Sequence, residues 1–305
     1  CAYSYSDSSF TCHDLLFRPV LDKMQFHQNL TWQKDWTSFY SEFTTIKGIN
    51  PFALTDSQAV HINSIVMDEF ELDIYKDKRV PRKWEKRKMP QELIRQVGIP
   101  FIVDTIHCRN GFIVYEEFPD DGVKAGQIHI TDTEIQIYNV TNQKQDDLIR
   151  AQFNGRLNGR GFIDVGFKIP VWDSRMQHSF SGSLSAMYMN SLNKFLENTE
   201  YIKINRGRIR KAIFNVWANQ NHSSGDLTVK YDNLNISFLR HPEDQKKSDQ
   251  KKALSFLANT IIKKENPSGN RPVRSGAISY NRDYSRSFVN FWLKSILSGV
   301  KENMT

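Results

Sequence analysis

Residues 226–239 read DLTVKYDNLNISFL: apolar and polar side chains alternate, miss one step, and resume on the opposite count. Leu227, Val229 and Tyr231 share one face of an extended strand, whereas Leu234, Ile236 and Phe238 need the other parity. Period-two alternation is the signature of a half-buried strand. A one-residue slip inside it predicts a bulge or strong twist, either of which curves a sheet. The same pattern returns upstream. GQIHITDTEIQIYNVTN (126–142) slips between Ile130 and Ile135, and GFIDVGFKIP (161–170) puts Ile163, Val165, Phe167 and Ile169 on one face with Asp164 and Lys168 opposite. In HSFSGSLSAMY (178–188), Phe180, Gly182, Leu184 and Ala186 alternate with Ser.

Strands this numerous, in unbroken succession, predict a mainly β fold: a long, curved antiparallel sheet forming an elongated groove. A short helix at 189–198 interrupts it, and helices over 252–264 and 286–300 close the chain. Arg109-Asn110-Gly111, flanked by IPFIVDTIHC and GFIVYEEF, reads as a hairpin, because Asn and Gly tolerate positive φ. Ile106 precedes Gly111 by the same distance as Ile202 precedes Gly207, and 62–77 looks like a degenerate third copy, so a weak repeat of hairpin units is expected. Three segments follow from this organisation. They are a strand and loop region over 1–59 continuing a longer upstream part, a β-groove domain over 60–240, and a polar linker with helices over 241–305.

The chain has 305 residues, enough to bury a substantial core without disulfides. Its 41 Lys and Arg against 34 Asp and Glu make it basic, but the charges are dispersed, and a nucleic-acid partner would rest on charge alone. The densest cluster, KDKRVPRKWEKRKMP (76–90), reads as a solvated connection or a contact with an anionic surface such as phospholipid headgroups. Cys1, Cys12 and Cys108 have no metal-site spacing, and a Cys12–Cys108 bridge is open in an oxidising compartment. Cys1 reads either as an acylated lipoprotein terminus or as the start of a fragment.

No catalytic residue, cofactor site or metal site emerges. The eight His are scattered, and no nucleophile elbow, phosphate loop or dinucleotide fingerprint occurs. Ser181 and Ser183 are explained as the polar side of a strand, and Glu116-Glu117 and Asp120-Asp121 as a strand end and turn. In SFVNFWLKSILSGVK (287–301) apolar residues cover over half the helical circumference. Phe288, Phe291, Trp292 and Ile296 are expected to meet a membrane or partner protein. Ile163, Val165, Phe167, Phe180, Leu184, Leu227 and Val229 are expected to line an apolar groove.

Residues 188–239 resemble the C-terminal region of AsmA-like bacterial envelope proteins. The resemblance is carried by Leu192-Asn193 in a short helix, by the Gly207-Arg208-Ile209 turn, and by Gly225 through Tyr231 to Leu234. VDTIHCRNGFIVYEEF with AGQIHITDTEIQIYNVTN looks like the same family's hairpin-and-strand unit. SFLANTIIKKENP and ISYNRDYSRSFVNFWLKSILSGVK resemble the closing segments of its Bacteroidetes branch. The likeness spans about residues 60 to 301 and rests on structural positions. It implies a twisted sheet curled into a groove with an apolar interior and polar exterior, facing the periplasm, membrane-anchored in the full-length protein, and binding no cofactor. Such proteins are thought to shield lipid acyl chains in transit or to aid outer-membrane assembly, so the expected partners are phospholipid or other acyl chains. The alternative is a scaffold docking other envelope proteins through its sheet and terminal helix.

Overall fold

The computed structural model describes residues 1–49, 60–144, 148–239 and 262–305. One open, mainly antiparallel sheet organises all of them. Its strands are β1 (Ala2–Ser4), β2 (Ser9–Phe17), β3 (Trp36–Lys47), β4 (Val60–Asp77), β5 (Phe101–Phe118), β6 (Gly126–Thr141), β7 (Ile149–Leu157), β8 (Gly161–Ile169), β9 (His178–Leu184), β11 (Ile202–Ala218), β12 (His222–Phe238) and β13 (Gly276–Asn281), hydrogen-bonded in chain order, with the short β10 (Met187–Tyr188) beside β11. The helices are α1 (Lys23–Gln28), α2 (Pro90–Arg95), α3 (Asn193–Thr199), led by a 3₁₀ turn over Met189–Leu192, and α4 (Phe288–Met304). The 241–252 linker and most of the expected 252–264 helix lie outside the described residues.

The slip at 226–239 is a bulge. The two steps from Arg206 to Arg208 on β11 are matched by three steps from Asn235 to Asp232 on β12, and Asn233 takes a positive φ of 52°. The extra residue restores phase, so Leu227, Val229 and Tyr231 are buried on the same face as Leu234 and Ile236. Asp14, Glu69, Asn110 and Asp132 also have positive φ, between 48° and 54°. They occupy neighbouring places in β2, β4, β5 and β6, so one line of bulges creases the sheet across its strands. Asn110 Nδ2 donates to Asp68 Oδ1 at 2.8 Å, and Arg109 Nη2 to Asp68 Oδ2 at 2.5 Å, tying the crease between β4 and β5.

The pairings correct several expectations. Arg109-Asn110-Gly111 is no hairpin: β5 runs on through it, because a single left-handed residue produces a bulge, whereas reversal needs a two-residue turn. Gly207 likewise lies inside β11, so the repeated unit is a long bulged strand. The sheet is not wholly antiparallel, since β4 and β5 pair in parallel and need a crossover, residues 78–100. Within the sheet, β3 pairs with β4 and β13 with β12. Finally, Cys12 is joined to Cys1, because the β1–β2 pairing brings the two together, and Cys108 is a buried free thiol.

Candidate functional site

Register across the sheet defines two faces. Phe180 opposes Phe167, which opposes Ala151, then Ile137, Ile106, Ile65 and Ile46. Directly opposed residues point the same way, so this row is one apolar line from β9 to β3. A parallel row runs Val165, Phe153, Ile135, Cys108, Met67. The opposite face carries Ser179, Lys168, Arg150, Gln152 and Asn215, and there a shallow depression of about 460 Å³ also exposes Tyr138 and Trp217.

The apolar face is covered at one end. α4 lies on β12 and β13, approaching closely because small residues face it: a Cβ on Gly276 would sit 2.3 Å from Gly299 O, and one on Gly299 would sit 2.7 Å from Ile278 Cγ1. Ser295 Oγ and Ser223 Oγ are 2.7 Å apart in the buried contact. Ser287 caps the helix by accepting from Asn290 N, and Asn303 Nδ2 donates to Arg274 O at the far end. Trp292 packs on Phe167, Phe180 and Phe288, with ring centroids 4.9, 5.8 and 5.1 Å away, while Ile296, Val300 and Met304 join the cluster under the helix.

This placement corrects the reading of the terminal helix. Phe291 is 1% exposed, and Phe288, Trp292 and Ile296 pack inward, because the sheet beneath offers apolar partners along the whole row. The residues turned outward are Val289, Leu293 and Leu297, exposed by 48, 56 and 51%. Ile163, Val165, Phe167, Phe180, Leu184, Leu227 and Val229 do share the inner face as expected. They are, however, filled core beneath α4 and the turn carrying Met187, Met189 and Leu192.

His178, at the start of β9, fastens this cover. Its Nε2 accepts from Trp292 Nε1 at 2.9 Å, so its Nδ1 carries the hydrogen and donates to Met176 O at 2.8 Å. Burial, with the nearby Arg282 charge adding to it, holds the imidazole below its usual 6.5. Between that depressed value and 6.5 the unfolded chain binds more protons, so stability should be complete above about pH 6.5 and fall as pH drops below it. Protonated Nε2 cannot accept, and Trp292 would lose its partner. Denaturant melts from pH 7.5 to 5 should show this slope in the native protein and a flatter one in His178→Asn.

The other half of the same face is different. Several apolar residues of β4 to β6 on this face, among them Ile65, Ile106, Ile113, Ile130 and Ile135, are only half-buried. α4 packs on β11, β12 and β13, and α3 touches β5 and β6 near their ends, where Phe195 meets Tyr115 at a centroid distance of 6.1 Å. Between Ile106 and Tyr115 the strand runs about 30 Å at ~3.3 Å per residue, longer than the ~15 Å of hydrocarbon in one bilayer leaflet. The β4–β5 crossover is held at strand ends and against α4. Lys78 pairs with Glu117, Arg82 Nη1 reaches Asp283 Oδ2 at 3.4 Å, Met89 is buried against Phe291, and Ile94 packs on Ile149, Ile169 and Val171.

The trough holds little to react with. Cys108 is pushed up to about 11 by burial and stays a thiol. Glu117 is taken by Lys78 and by Tyr115 Oη, which donates to it at 2.7 Å, and Glu116 by Lys23. Among the described residues no three His, Cys, Asp or Glu side chains converge on a metal position. None of their helices is long and apolar enough to cross a membrane. Fold and site together define an open, creased β-sheet whose apolar face is half core and half trough. No protein-family model matches the chain, and no curated protein matches it either.

Proposed function

We propose that this chain is a non-enzymatic, AsmA-like protein of the bacterial envelope that binds or guides lipid acyl chains along the trough, facing the periplasm. The observation that carries the reading is the continuity of one apolar face from a sealed core into a stretch of half-buried Ile side chains. Apolar surface left in water on that scale marks a binding surface, and each methylene laid on it is stabilised by about 0.8 kcal/mol. No bond need be made or broken for such a function, which suits a wall of Ile, Leu and Phe.

Native mass spectrometry of the gently extracted protein should find copurified acyl lipid. In Ile135→Asp, which faces the trough and is half-buried, the lipid should be lost while stability drops by only about 1–2 kcal/mol. Lipid-free wild-type protein, or an Ile135→Asp variant with wild-type lipid content, would sink the proposal and favour the scaffold reading, in which protein covers this face.

A further inference from the structure

The crossover contains a ribbon, residues 81–88, that is exposed along its entire length. It carries Arg82, Lys83, Lys86, Arg87 and Lys88 against the single Glu85, with Trp84 among them 73% exposed. The ribbon is fastened at both ends. Gln33 N donates to Pro81 O at 2.9 Å, Arg87 N donates to Tyr284 O at 2.8 Å, and Arg282 Nη2 donates to Arg87 O at 2.5 Å. Met89, fully buried beside Phe291, anchors the far end and sets the ribbon next to α4. The structure thus holds an indole and its cations out in solvent.

The neighbouring surface has the same character. Leu93, Val97 and Ile99 are each about half exposed after the ribbon, and α4 turns Val289, Leu293 and Leu297 outward next to Lys294 and Lys301. Large apolar side chains interleaved with cations match a partner that is itself apolar beneath an anionic skin. We infer that this rim docks on the headgroup layer of an anionic phospholipid bilayer, with Trp84 and the Leu293 row entering the interface and the lysines meeting phosphates. The inference rests on the lipid-guiding reading and deepens it by placing the β4–β5 crossover at a lipid source, and its test does not depend on lipid in the trough.

Cosedimentation with vesicles of equimolar phosphatidylglycerol and phosphatidylcholine should capture the protein, and pure phosphatidylcholine should not. One cation near an anionic surface is worth about fivefold in binding, so Lys83→Gln/Lys86→Gln/Lys88→Gln should bind roughly a hundredfold more weakly. Trp84→Ser/Leu293→Ser should lose several-fold. Both variants should keep the wild-type melting temperature and copurified lipid, because the altered side chains are exposed and away from the trough. Added salt should release the wild-type protein without any substitution. The inference is overturned by wild-type failure to bind anionic vesicles, equal binding to neutral ones, salt-insensitive binding, or an undiminished triple variant. Loss of vesicle binding with trough lipid retained would support the rim alone; loss of trough lipid from wild type would fault only the earlier proposal.

Discussion

Trp292→Ala is expected to cost about 3–5 kcal/mol of folding stability, the range for truncating a packed aromatic. Trp292 is where the helix meets the sheet, touching Phe167 and Phe180 of the sheet and Phe288 of its own helix, so its removal opens a void between three clusters. It also leaves His178 Nε2 without its donor in a buried place. Leu293→Ala, one residue on, should change stability by no more than about 0.5 kcal/mol, since Leu293 points to solvent. Denaturant midpoints of the two variants measure the contrast. Equal, small losses would mean that α4 is not seated on the sheet and that its aromatic row is free for a membrane.

The second large effect belongs to Val165→Asp, expected to destabilise by several kcal/mol. Val165 is buried between Phe153 and Gly182 in the neighbouring strands, and its Cγ2 lies 3.0 Å from where a Gly182 Cβ would stand. A carboxylate there would be stripped of water without a partner, and its pKa would rise above the unfolded value of about 3.9. The defect relative to Val165→Asn should therefore be widest near neutral pH and shrink as pH falls. Wild-type melting of Val165→Asp would show that the strand's faces are reversed.

Both predictions turn on the same division of labour between local pattern and packing. That Ile163, Val165, Phe167 and Ile169 share a face was legible in alternation alone, because a strand's side chains alternate whatever lies next to it. The phase slip at Asp232-Asn233 was legible for the same reason, as Asn enters the left-handed region at little cost. What covers the face was not legible. The helix over 288–304 shows apolar residues around most of its circumference, so period alone cannot say which of them point down. Gly276, Gly299, Ser223 and Ser295 hold the answer, and their smallness has meaning only once strand and helix are seen to cross. The hairpin reading at Asn110 failed because one left-handed residue is common to turns and bulges; partner strands decide between them. His178 offered no signal, since a lone histidine on a strand says nothing about a tryptophan 114 residues away.

By itself, then, the sequence determined a mainly β chain of long, bulged, two-faced strands with a polar side, an apolar side and a terminal amphipathic helix, because each of these is written in the spacing of neighbouring residues. Tertiary structure alone decided the rest. It set the parallel β4–β5 pairing and the crossover it forces, the burial of Phe291 and Trp292 instead of Leu293, and the split of one apolar face into sealed core and half-open trough. These outcomes depend on which surfaces meet across hundreds of residues, and close packing selects among meetings that the local alternation leaves equally allowed.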